Sequence, residues 1–298
     1  MAANNSRPLL FRGWLPAAQS CKLAREETVP NHPDHHAHAA SSTDEERATA
    51  YAEACAAAQP DPGRRVVAVA LEAGEFDWEF VPGVRTRAWG FNGTVPGPTI
   101  EATVGDVLEI RLSNRLPEPT VVHWHGLRIP AAMDGTQMVQ HPVDPGESFT
   151  YRFRVPDAGT FWYHSHFNET VQLERGLYGA LIVRDEDEPR FDRERVLMLD
   201  DLKLDEDGSL SPFGDPHEHH EGREGDVRLL NGRQEPELEI AGGQIERWRL
   251  VNAANTKYVR LSIGGRPFSL IGTDAGLLQE PRELTEAEYE EIKSFGAE

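Results

Sequence analysis

Two short stretches carry histidines at a spacing that can do chemistry: Val121-Val-His-Trp-His-Gly126 and, forty residues on, Phe161-Trp-Tyr-His-Ser-His166. Each places two histidines at i and i+2. On a β-strand, alternate side chains leave the same face. His123 and His125 therefore project together, as do His164 and His166, while Trp124 and Ser165 point the other way. Laid side by side, the two strands bring four imidazoles to one patch. Neutral imidazole is the commonest protein metal ligand and suits copper and zinc. One such pair is weak evidence. Two pairs, each beside aromatic residues in strand-like sequence, point to a metal site.

The elements that position these residues follow from the rest of the chain. Its 298 residues suggest about two domains. Hydrophobic residues make up 39% and charged residues 27%, a globular composition on the polar side. The net charge of −20 argues against nucleic acid as a partner, because phosphates would be repelled. It fits a well-solvated surface or one that gathers cations. No apolar run approaches the roughly 18 residues of a membrane helix, so no membrane partner is expected. The first thirty residues hold Arg7 and Arg12 but no apolar core beyond Pro8-Leu-Leu-Phe11 and no twin arginine. No export signal is expected from this start, and the compartment stays unassigned. Cys21 and Cys55 both precede the motifs. They could pair with each other, but they form no disulfide framework, and no thiolate after residue 55 is offered to a metal.

Residues 1–62 read as an extension. Asn31-His-Pro-Asp-His-His-Ala-His38 has no hydrophobic pattern and reads as a solvated, histidine-rich linker. Ser41 to Ala58 reads as a short helix, with Ser42 and Glu45 fitting a capping box and Pro60-Asp-Pro-Gly63 ending it. From Arg65 the period changes to two. Strands are expected over Arg65–Leu71, Phe76–Phe80, Val107–Leu112, the His123 stretch, Ser148–Val155, the His164 stretch and Gly179–Val183. Turns are expected at Trp89–Gly93 and Val95–Pro98. This is an all-β sandwich or barrel pattern. Asp185-Glu-Asp-Glu-Pro189 is a charged linker, so a first β domain is placed over 63–188 and a second over 189–298.

The second region repeats the first. Phe91-Asn-Gly93 answers to Leu230-Asn-Gly232, Pro98-Thr-Ile-Glu101 to Pro236-Glu-Leu-Glu239, and Gly105–Asn114 to Gly243–Asn252. From Pro98 and Pro236 to Asn114 and Asn252 the offset stays at 138 residues. Carried forward, it maps His123-Trp-His-Gly126 onto Leu261-Ser-Ile-Gly264. The second copy keeps the glycine and replaces both histidines, so the fold's packing does not require them. The Ser148–Val155 strand should recur over 286–293. That segment instead carries a helix signal, Thr285 with Glu288, so the second domain is expected to be incomplete.

These motifs together resemble the multicopper oxidases, a family that includes laccases, over about Arg65 to Pro281. The resemblance is densest from Phe91-Asn-Gly-Thr-Val-Pro-Gly-Pro98 through His123-Trp-His-Gly126, Met133-Asp-Gly135 and Trp162-Tyr-His-Ser-His166 to Arg175-Gly-Leu-Tyr-Gly-Ala-Leu-Ile-Val183. It implies tandem cupredoxin-like Greek-key β-sandwiches, the second incomplete here. It implies a laccase-type oxidoreductase that takes electrons from a small reducing substrate and reduces dioxygen to water. By this resemblance His123 would ligate a type 2 copper, and His125, His164 and His166 a type 3 pair. Asp134 matches the acidic residue that handles protons near such a cluster. The alternative is a copper-binding protein without oxidase activity.

The departures from the family pattern shape a further expectation. All twelve histidines lie at or before His220, and no cysteine follows Cys55. The ligands of a type 1 copper and half of those of a trinuclear cluster are therefore not found. A truncated form is expected, needing a partner chain or a missing C-terminal domain to complete the copper site. His141 reads as a loop residue, and His217-Glu-His-His220 as part of a polar loop.

Overall fold

The alternating pattern from residue 65 onward folds into paired sheets. The computed structural model describes residues 42–284, apart from 215, 235, 260, 264–265 and 274–275. The histidine-rich tract at 31–38, Cys21 and the helix expected over 286–293 lie outside the described residues.

Helix α1 (Asp44–Ala57) comes first. The first β unit contains β1 (Val66–Val81), β2 (Val84–Phe91), β3 (Gly97–Thr103), β4 (Val107–Asn114), β5 (Val122–His125), β6 (Ser148–Arg154), β7 (Gly159–Ser165), a short α2 (Glu169–Glu174) and β8 (Tyr178–Arg184). The second holds β9 (Arg193–Leu202), α3 (Pro216–Glu221), β10 (Val227–Leu230), β11 (Glu246–Asn252), β12 (Phe268–Thr273) and β13 (Gly276–Leu284). The first unit is a sandwich of two four-stranded sheets, ordered β2-β1-β4-β6 and β3-β8-β7-β5. Their facing side chains make an aromatic core. The Trp124 ring lies 5.3 Å from Tyr151, 5.3 Å from Phe153 and 5.7 Å from Tyr163.

Two local expectations change. Val66–Val81 is one strand where two were expected. Its first half pairs with β4, from Val66 opposite Val107 to Ala73 opposite Asn114. Its second half pairs with β2, from Ala73 opposite Phe91 onward. The polar Glu72–Glu75 segment that reads as a break is where the strand changes partner. The capping box sits one residue later than expected, on Thr43 and Glu46. Ser42 is drawn off by a longer-range partner: its hydroxyl donates to the Met138 carbonyl at 2.6 Å.

The internal repeat is structural. The second unit's sheet runs β10-β9-β11, with β10 antiparallel and β11 parallel to β9. This matches β2-β1-β4 in order and sense. The turn chemistry repeats as well. Asn92 and Asn231 both have positive φ, 55° and 52°. Each side chain closes its turn by accepting from one backbone N–H, of Glu72 or Met198, and donating to a carbonyl two residues earlier, of Ala70 or Val196. Asparagine tolerates the left-handed region better than most residues, which fits it to both turns. One part of the mapping changes: Leu261, Ser262 and Ile263 are not in a strand. The His123 stretch is held as a strand by β7, and no such partner pairs with 261–263 among the described residues.

The units meet along an apolar seam. Trp162, Tyr178 and Ala180 on the outer face of β7 and β8 pack with Met198, Leu202, Leu229, Val251 and Ala253. Beside the seam, Arg223 faces Glu174, their side chains 6% and 3% exposed. Arg223 Nη2 and Nε donate to Glu174 at 2.9 and 3.1 Å. Removing one partner of a buried pair leaves an uncompensated charge and costs about 3–5 kcal/mol. Arg223→Ala is expected to lower stability by about that much, whereas Arg223→Met with Glu174→Leu costs less. Chemical denaturation of both variants checks this.

Candidate metal centre

The imidazole patch forms because β5 and β7 are antiparallel neighbours in one register. His123 lies opposite His164, His125 opposite Trp162, and Val122 opposite Ser165. Trp124 and Tyr163 thereby enter the sandwich core, and the imidazoles take the other face. His166 follows the last residue of β7, with its N–H donating to the Val121 carbonyl at 3.3 Å. Ring centroids of His123 lie 5.5, 5.3 and 5.4 Å from those of His125, His164 and His166. One nitrogen from each of His123, His125 and His164 lies within 4.8 Å of the others. This is the one such group of three or more metal-capable side chains among the described residues. His166 flanks the triad, with 44% of its side chain exposed.

Hydrogen-bond partners orient the rings. His123 Nδ1 lies 3.0 Å from the Asp134 carbonyl and 3.1 Å from its Oδ1, so it is the protonated, donating nitrogen. His164 Nδ1 donates to the Ser165 carbonyl at 2.8 Å. That leaves His164 Nε2 as the lone-pair nitrogen, 3.3 Å from His125 Nδ1. Two nitrogens at about 2.0–2.1 Å from one tetrahedral ion sit about 3.3 Å apart. This pair therefore fits a single ion as placed. Trp162 walls the patch, stacked on His164 at 4.3 Å and 5.0 Å from His125.

Burial sets the charge state. It pushes His125 down to about 4, aided by His123, and His164 well below the ordinary histidine value. It lowers His166 too. His123 is the exception: burial pulls it down, but the hydrogen bond and charge of Asp134 carry it above the ordinary value. Neutral imidazoles are the form that ligates metal.

Asp134 reaches His123 because its loop presses on β5. Gly135 sits at φ 73°, and a Cβ there would lie 2.3 Å from the Val122 carbonyl oxygen, so only glycine fits. The structure thus brings together all five residues singled out in the sequence: His123, His125, His164, His166 and Asp134. It also brings Glu169, which sequence reasoning missed. Glu169 lies 3.6 Å from His164 Nδ1 and 3.5 Å from His166 Nε2. Its only sequence signal is a place three residues after His166. The other histidines lie elsewhere. His141 lies 2.7 Å from Asp44 and 2.8 Å from Arg47, fastening α1 to its loop. His217 and His219 lie on α3, a helical turn where a loop was expected, and the His219 ring packs against Phe213.

Histidines that fold in a neutral state bind fewer protons folded than unfolded. Their stabilising effect is complete above the unfolded histidine value of about 6.5 and is lost as pH falls through the lowered folded values. His123 works in the opposite sense, but three lowered rings oppose one. The thermal midpoint of the metal-free chain is expected to fall as pH drops from about 6.5 toward 4, and less steeply in His125→Gln. Calorimetry across that window checks it.

A family model described as multicopper oxidase matches residues 72–188. A Mycobacterium tuberculosis protein named multicopper oxidase MmcO is 35% identical, over 76% of this chain and 50% of that one. A Proteus mirabilis protein named cell division protein FtsP is 36% identical, over 70% of this chain and 45% of that one. A crystal structure of a multi-copper oxidase from Pseudomonas thermotolerans aligns with a TM-score of 0.70 and 40% identity, covering 76% of this chain and 55% of that one. The chain spans about half the length of the curated relatives it matches. With paired His-x-His strands on a cupredoxin-like sandwich shared with these proteins, the chain belongs to the multicopper oxidase family.

Proposed function

We propose that this chain carries one half of the copper centre of a laccase-like oxidoreductase, which couples oxidation of a small reducing substrate to reduction of dioxygen to water. The observation that carries this reading is the approach of His125 Nδ1 to His164 Nε2 at 3.3 Å beside His123. His123 would hold a type 2 copper, and His125, His164 and His166 would hold a type 3 pair. Bound copper would supply reversible one-electron exchange with substrate and dioxygen. The chain's own residues do the rest. Burial keeps three imidazoles unprotonated, so copper meets little proton competition there. Asp134 fixes the His123 tautomer through Nδ1 and sets a carboxylate where a proton can be held during dioxygen reduction. Trp162 closes one side against water. The remaining copper donors are proposed to come from a further domain or a partner chain.

A second reading is copper binding without turnover. It is favoured by the similarity to a protein named for cell division, and by the single metal-capable group among the described residues.

Cupric ion titration of the full chain against a His123→Ala, His164→Ala double variant tests the site. Binding is expected to be lost in the variant, and unchanged stoichiometry would refute copper at these imidazoles. Oxygen uptake with a phenolic dye separates the two readings. Uptake that vanishes in the double variant supports the oxidase. Wild-type copper binding with no uptake, also when a complementing domain is supplied, supports binding alone.

A further inference from the structure

Helix α2 begins three residues after His166 and is held by bonds along its length. Gln172 is fully buried: its Oε1 accepts from the hydroxyls of Thr120 and Ser165, and its Nε2 donates to Glu118 and to the Pro119 carbonyl. Thr170 donates its hydroxyl to the His219 carbonyl at 2.7 Å, and Asn255 donates to the Thr170 carbonyl at 3.0 Å. Glu174 is fixed by Arg223. These polar side chains of α2 therefore serve the scaffold. Glu169 serves something else. Asn168, in the left-handed region at φ 46°, turns the chain so that Glu169 leans back over the imidazoles. The ion-pair contacts of its carboxylate are to His164 and His166 alone among the described residues, at 3.6 and 3.5 Å. Its side chain is 30% exposed, so the carboxylate lies largely out of water beside the rings. Packing gains nothing from a desolvated carboxylate without a close hydrogen bond.

A metal site does gain from it. Imidazoles that ligate a cation are commonly steadied by a carboxylate on their outer nitrogen, and losing such a partner typically costs 10–100-fold in metal affinity. Asp134 takes that place at His123. At His164 and His166 the carboxylate is Glu169.

We propose that Glu169 is a positioning residue of the metal centre: its carboxylate orients the His164 and His166 rings and places negative charge beside the bound cation. Two carboxylates then border the patch, Asp134 at His123 and Glu169 at His164 and His166. The arrangement favours a divalent over a monovalent ion. The proposal rests on the copper-binding reading above.

The test is competitive titration of the full chain with cupric ion against a chelator, for wild type, Glu169→Gln and Glu169→Asp. Electron paramagnetic resonance of each loaded form is recorded alongside. Glu169→Gln is expected to keep the wild-type stoichiometry, lose roughly 10–100-fold in affinity and shift the copper hyperfine coupling. Glu169→Asp, which keeps the charge one methylene away, is expected to recover part of that loss. Thermal unfolding of the metal-free variants gives the control. Lower affinity matched by a lower midpoint of the metal-free protein marks a merely structural role and overturns the proposal. So does Glu169→Gln with wild-type affinity and spectrum. A wild-type chain that binds no cupric ion instead overturns the copper reading itself, a distinct outcome.

Discussion

The register between β5 and β7 is the constraint on which the rest depends. His123 opposite His164 fixes at once which face carries the imidazoles, which nitrogens converge and which aromatics fill the core. A slip of one residue would send Trp124 outward and the histidines into the sandwich. The register is guarded from the core side. Trp124 sits among Tyr151, Phe153 and Tyr163, and the Tyr151 hydroxyl accepts from the Val122 N–H at 2.9 Å. The placing of the imidazoles is thus specified by packing on the opposite face of their sheet.

Electrostatics then divides the patch. Burial alone would make every ring neutral, and three of the four follow it. His123 departs because Asp134 is bonded to its outer nitrogen, and Asp134 is there because Gly135 lets the loop close on the strand. Carboxylates placed behind metal-binding rings fix their tautomers and compensate the charge that a cation brings.

Much of this was legible in the sequence because period two is a local signal. The facing of the four histidines, the all-β class and the duplicated unit follow from alternation and from repeated Asn-Gly turns. The family resemblance led to Asp134. What was not legible depends on partners distant in sequence. The capping box moved to Thr43 because Ser42 finds Met138. Val66–Val81 runs through because its two halves have different neighbours. Leu261–Ile263 does not form the expected strand because a strand needs a partner, and the offset says nothing about partners. Glu169 was missed for the same reason: its closeness to the rings depends on one left-handed residue, Asn168, and on a helix anchored from elsewhere.

That anchoring has a mechanical meaning. Four of the ties on α2 come from the second unit: Arg223 and the Lys203 N–H on Glu174, the His219 carbonyl on Thr170, and Asn255 on the Thr170 backbone. A unit with no metal-capable triad of its own among the described residues therefore grips the helix that borders the imidazole patch of its neighbour. A force that pried the two units apart would therefore pull on α2, the helix that carries Glu169 beside the imidazoles.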